Sequence, residues 1–214
     1  MTAEPAGSGE AWEELATQVS ACTACVDLAD SRRRVVVGQA PTGAELLLLT
    51  QAPGAAEESA ARPLAGRSGH HLDFLLAEVG LWRKAIATVS VVKCRPPEGR
   101  APLRAEIENC RGWTRRQIEL IDPLLIVTMG QAAAEWALGR GVELSAVRGH
   151  LHQFGPWPLL PTFHPAVAIR VGRTGAPAML LEQDVRYAAQ LLPRLRTLRA
   201  AGGAPCCSAD GHQR

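Results

Sequence analysis

The chain is predicted to be α/β: a three-layer α/β/α arrangement around a central, mainly parallel sheet of four strands. Three observations carry this. Strand-like and helix-like stretches alternate along most of the length, which is how a parallel sheet with crossover helices reads in sequence. Two apolar runs, 45–50 (E-L-L-L-L-T) and 124–129 (L-L-I-V-T-M), are continuous rather than alternating, as strands covered on both faces require. With 214 residues and 47% hydrophobic composition, the chain can bury a core of that size.

Each element follows from a local pattern. Residues 11–21 place Trp12, Leu15, Ala16 and Val19 at helical spacing. The first buried strand is 45–50. Residues 68–79 read as a helix with Leu72, Leu75, Leu76 and Val79 inward and Gly80 as its stop. Residues 86–92 are rich in β-branched side chains and form the second strand. An amphipathic helix is expected over 102–120, a third strand over 124–129, and a helix over 131–138 after Gly130. Residues 157–162 give the last strand, ending at Phe163-His164-Pro165. A final helix is expected over about 178–199, kinked or split by Pro193. Residues 1–10 and 200–214 lack periodicity and are expected to be disordered, leaving one domain over 11–199.

Charge and composition exclude several classes. A formal net charge of only +2 means that any nucleic-acid surface is a local patch rather than a global field. No apolar run approaches the roughly 20 residues of a membrane-spanning helix. The N-terminus has neither a basic n-region nor an apolar h-region, so a cytoplasmic protein is expected.

Four of the six cysteines form a spaced set: Cys22 and Cys25 as C-T-A-C, Cys94 in V-V-K-C-R-P-P, and Cys110 in E-N-C. Thiolates gathered from three distant segments suit an iron–sulfur cluster or zinc. A disulfide framework would need an oxidising compartment. Cys206 and Cys207 are adjacent in the C-terminal tail and are read as incidental. In parallel sheets, ligands bind beyond the carboxyl ends of the strands. Three unusual segments fall there: Thr50-Gln51-Ala52-Pro53-Gly54, residues 90–97, and Phe163-His164-Pro165.

The stretch from Gln51-Ala-Pro-Gly54 through Glu57, Glu58 and Arg62-Pro-Leu-Ala-Gly-Arg-Ser-Gly69 resembles the signature G-E-x-P-G-x-x-E-D-x-x-G-x-P-F-V-G-x-A-G of the family 4 uracil-DNA glycosylases. The resemblance continues through Val92-Lys93-Cys94-Arg95-Pro96-Pro97, Glu108-Asn-Cys110, Arg148-Gly149, Thr162-Phe-His-Pro165 and Ala168-Ile-Arg170, in order and at compatible spacing. It implies a glycosylase that flips uracil, or a related deaminated base, out of single- or double-stranded DNA and excises it hydrolytically. It also implies a structural [4Fe-4S] cluster on Cys22, Cys25, Cys94 and Cys110, and a monomer. His164 matches the histidine that faces the uracil and stabilises its departing anion. Gln51, Ala52, Pro53 and Gly54 match the turn that holds the base and the attacking water. Lys93, Arg95 and Arg170 match positions beside DNA phosphates, with Arg100 nearby.

Three positions depart from the pattern. The family's Gly-Glu is Thr50-Gln51, so a carboxylate becomes a neutral amide that can orient water but not take its proton. The phenylalanine that stacks on the base is Leu64. The asparagine that reads the base edge is Ser90. These changes raise an alternative: a catalytically weak or inactive iron–sulfur homologue that recognises damaged or single-stranded DNA. His70, His71, His150, His152 and His212 match no site, and Arg32 to Arg34 read as a solvated charge run.

Overall fold

Continuous apolar runs make β1 (Leu46–Thr50) and β3 (Leu125–Met129), every residue of which is buried. The computed structural model describes residues 8–172 and 174–203. The sheet is completed by β2 (Ala87–Ser90), β4 (His152–Phe154) and β5 (Trp157–Thr162), in the order β2-β1-β3-β5-β4. β1, β2, β3 and β5 are mutually parallel, and β4 pairs antiparallel with β5. The sheet therefore has five strands, one more than expected. β4 is only three residues long and joins β5 through Gly155-Pro156, with Gly155 at φ +56°, a two-residue hairpin turn too short to register as a separate apolar run.

The helices are α1 (Ser8–Ser20), α2 (Val26–Ser31), α3 (Ala55–Ala60), α4 (Arg67–Glu78), α5 (Arg104–Ile121), α6 (Gln131–Leu138), α7 (Leu144–Val147), α8 (Ala166–Val171) and α9 (Ala176–Ala200). α1 starts at Ser8, inside the stretch expected to be disordered, with Glu10 in its first turn at the positive end of the helix dipole. α9 ends at Ala200 and is not split at Pro193. Pro193 forfeits one backbone bond, but Leu191, Leu192 and Leu195 around it are buried and hold the helix on the sheet. Cys206 and Cys207 lie outside the described residues.

The alternation of β1 divides the core into two layers. Leu46 and Leu48 face a cluster with Leu72, Leu75 and Leu76 of α4 and Leu181, Val185 and Leu192 of α9. Leu47 and Leu49 face the other side, among Leu28 of α2, Ile118 of α5 and Trp136 of α6. Each such leucine, taken fully out of water, contributes about 1.5–3 kcal/mol. All four parallel strands run the same way, so the segments after β1, β2, β3 and β5 collect at one edge.

Candidate active site

At that edge lies a cavity of about 370 Å3, lined by Gln51 and Ala52 after β1, Gly130 and Gln131 after β3, and Phe163, His164, Val167 and Arg170 after β5. Gly130 has φ +91°, and a Cβ there would stand 3.3 Å from the Cβ of His164, so glycine lets the two strand ends approach. The end of β5 is braced from below. Asp184 of α9, 3% exposed, accepts hydrogen bonds from Thr162 Oγ1 (2.6 Å) and Arg148 Nε (2.9 Å), with a second contact from Arg148 Nη2.

His164 is half-buried and its tautomer is set locally. The Ala166 amide donates to His164 Nδ1 at 3.1 Å, which leaves the proton on Nε2. Burial pulls its pKa from 6.5 down to about 4; Glu57 opposes that shift and Arg170 adds to it. At neutral pH the ring is therefore a neutral donor. Glu57 was not singled out by sequence, yet its carboxylate accepts the amides of Gly54 and Gly66, both at 3.0 Å, and ties the two loops together. A carboxylate three residues after a tight turn was the available signal.

The four spaced cysteines are free thiols in one neighbourhood. Burial raises Cys94 and Cys110, against the Arg32 guanidinium at Cys94 and the Lys93 backbone amide at Cys110; Cys22 and Cys25 lie near enough to Cys94 to act on it electrostatically. Asn109 donates to Ala24 O (3.0 Å) and Cys25 Sγ (3.5 Å), drawing the C-T-A-C loop onto α5. Among the described residues, no three His, Cys, Asp or Glu side chains converge tightly enough to hold a single metal ion.

Residues 30–184 match the model of the uracil DNA glycosylase superfamily. The chain is 33% identical over 187 residues to a type-4 uracil-DNA glycosylase of Thermotoga maritima, covering 86% of this chain and 96% of that one. It is 30% identical over 168 residues to a type-4 uracil-DNA glycosylase of Archaeoglobus fulgidus (75% and 84%), and 32% identical over 166 residues to one of Sulfurisphaera tokodaii (73% and 75%). The chain belongs to the type-4 family of the uracil-DNA glycosylase superfamily.

Several residues carried over from the type-4 pattern lie elsewhere than expected. Lys93 is 1% exposed, and its Nζ is turned inward, donating to Thr114 Oγ1 (2.9 Å) and Ser90 O beneath the sheet edge. Arg95 is half-buried and paired with the buried carboxylate of Glu58 at 3.5 Å, while Arg100 makes a two-pronged pair with Glu106. Leu64 is 5% exposed and belongs to the core facing α4, not to the cavity wall. Its φ of +51° and the close approach of Gly69 to its carbonyl turn the side chain inward. Ser90 is buried, and its hydroxyl is 2.8 Å from that of Thr50, its register partner on β1. Pro53 is buried behind the turn, and the Gly54 amide is taken by Glu57. Gln51, Ala52, His164 and Arg170 do share the cavity, with Arg170 exposed at its rim.

A second cavity, of about 350 Å3, lies between α9 and the segment before β1 and is crossed by the Arg196–Glu45 ion pair (2.6 Å). Among the described residues, no helix is long and apolar enough to cross a membrane.

Proposed function

We propose that this chain is a DNA glycosylase that hydrolyses the N-glycosidic bond of uracil, or a related deaminated base, in DNA, as the first step of base excision repair. One observation carries the reading. A neutral histidine with its Nε2 proton free lies in the same cavity as Gln51, at the carboxyl edge of a type-4 fold. A flipped nucleotide entering the cavity meets His164 at the base and Arg170 at the rim, where a guanidinium suits a phosphate. As the bond from the sugar to the base breaks, the electron pair stays on the base. His164 Nε2–H donates to the resulting oxyanion without having to titrate, which is the preorganised stabilisation that lowers such barriers most. Gln51, through its amide carbonyl, orients the water that adds to the sugar cation, and the proton it releases passes to solvent.

In this reading Cys22, Cys25, Cys94 and Cys110 hold a [4Fe-4S] cluster. The set contains only thiols, drawn from three segments, as a cluster held by cysteine alone requires. The cluster's contribution is structural: it pins the N-terminal segment and the loop after β2 to α5. The enzyme acts as a cytoplasmic, single-domain monomer on DNA.

The test is release of free base by anaerobically purified protein from oligonucleotides carrying uracil, hypoxanthine or mismatched thymine, single-stranded and duplex, beside His164→Ala. Excision that His164→Ala abolishes supports the proposal. Silence across the panel, with visible cluster absorption present and salt-dependent DNA binding retained, would replace it with the non-catalytic alternative.

A further inference from the structure

Arg32 reads in sequence as one of three solvated arginines, but in the structure it is half-buried against the cysteine set. Its Nη1 donates to Cys94 Sγ at 3.1 Å and its Nη2 to the Cys22 carbonyl at 2.7 Å, so one guanidinium spans two of the cysteine segments. Lys93 approaches the set from inside. Its Nζ donates to Thr114 Oγ1 at 2.9 Å, and that hydroxyl also reaches the Cys110 carbonyl at 3.4 Å, so Lys93 is tied to the turn of α5 that carries Cys110 and is itself the chain neighbour of Cys94. Both Nζ acceptors, Ser90 O and Thr114 Oγ1, are neutral. A lysine side chain 1% exposed and held by neutral acceptors is an unusual thing to bury, and its place beside the Cys94 and Cys110 segments is the observation that calls for a reason.

We propose that Arg32 and Lys93 are a pair of fixed countercharges for the four-cysteine site, one outside and one inside, that position its thiolates and retain the metal group. The inference rests on the reading that these cysteines hold a cluster. Charge balance supports it. Four cysteine ligands gather negative charge in one place when they hold a cluster, and two basic side chains, Arg32 and Lys93, are fixed at that place. Arg32 adds geometry to charge, because its fork fixes the Cys22 and Cys94 segments relative to each other. Lys93 adds a link to the active-site edge: the Nζ bound to Thr114, one turn after Cys110, also holds the Ser90 carbonyl at the end of β2. Both are positioning residues.

The experiment uses the full chain, purified anaerobically, as Arg32→Gln, Arg32→Lys, Lys93→Met and, for comparison, Arg33→Gln, whose side chain is exposed. Iron and sulfide per chain, the rate of bleaching under an iron chelator, and the cluster reduction potential are measured. Arg32→Gln and Lys93→Met are expected to lose iron about ten- to a hundredfold faster than wild type, the usual cost of removing an outer partner of a metal ligand. Their potentials should move more negative, because a positive charge beside the cluster is gone. Arg33→Gln should match wild type, and Arg32→Lys should fall between, keeping the charge but not the fork. Should Lys93→Met fail to fold, Arg32→Gln decides alone, since it lies at a half-buried surface. Wild-type retention and potential in Arg32→Gln would overturn the proposal, as would wild-type protein holding no iron. None of these readouts depends on base release, so a catalytically silent protein answers the question equally well.

Discussion

Protonating His164 should stop base release and weaken the fold, and both effects should appear only in acid. Nδ1 already accepts the Ala166 amide, so a second proton breaks that bond and creates a cation that burial disfavours. With the pKa near 4 rather than 6.5, about one ring in a thousand is charged at pH 7. Between pH 6.5 and about 4, the unfolded chain binds a proton at this residue that the folded chain refuses, so stability rises with pH across that window and falls as pH drops through it. The full gap corresponds to about 3.5 kcal/mol at roughly 1.4 kcal/mol per pH unit. Because the cavity is open to water, we expect about half of that. The assay is single-turnover release of uracil from a single-stranded oligonucleotide between pH 4 and 8, with urea unfolding at each pH, for wild type and His164→Gln. The rate should be flat from pH 6 to 8 and fall below about 5. The stability loss of wild type between pH 6.5 and 4 should shrink by about 1.5 kcal/mol in His164→Gln. An acid limb centred at pH 6–7 in wild type, or identical pH–stability curves for the two proteins, would refute the neutral-donor assignment.

Gln51→Glu puts a carboxylate in the cavity that holds His164, and single-turnover uracil release should rise about ten- to a hundredfold through general-base assistance; an unchanged or lower rate would remove Gln51 from the water-orienting role. Gly130→Ala forces an L-residue to φ +91° with its Cβ 3.3 Å from His164, so it should cost about 1–3 kcal/mol in urea unfolding and slow release by about tenfold while oligonucleotide affinity holds. Asp184→Asn leaves Arg148 without its anion and weakens the acceptor for Thr162, and should lower the unfolding free energy by about 3–5 kcal/mol. A loss under 1 kcal/mol would show that the pair does not brace β5.

What was legible in the sequence was what depends on short-range pattern. β5 and α6 lie where their apolar runs and flanking glycine put them, and C-x-x-C with two distant cysteines marked a shared thiol site. What escaped depended on neighbours far along the chain. Lys93 reads as a surface cation in K-C-R-P-P, and only Thr114, 21 residues on, shows that it points inward. Arg32 is indistinguishable from Arg33 and Arg34 until Cys94, 62 residues away, appears beside it. Leu64 had the right sequence position for the base but the wrong backbone conformation, and φ is not written in a leucine.

The departures at Thr50 and Ser90 look independent in sequence, 40 residues apart, but they are a register pair whose hydroxyls meet at 2.8 Å. Where the family pattern has glycine opposite asparagine, this chain has a larger residue opposite a smaller one. The added threonine side chain occupies space that the shorter serine leaves, and each hydroxyl satisfies the other, so neither is left unpaired in a buried strand pair. The consequence is directional. The β1–β2 end of the edge has turned its polar side chains on each other, while the β5 end keeps His164, its Ala166 amide and Arg170 in the cavity. What the β1 side leaves open to the cavity comes from the turn after the strand, Gln51 and Ala52, and not from the Thr50–Ser90 pair itself.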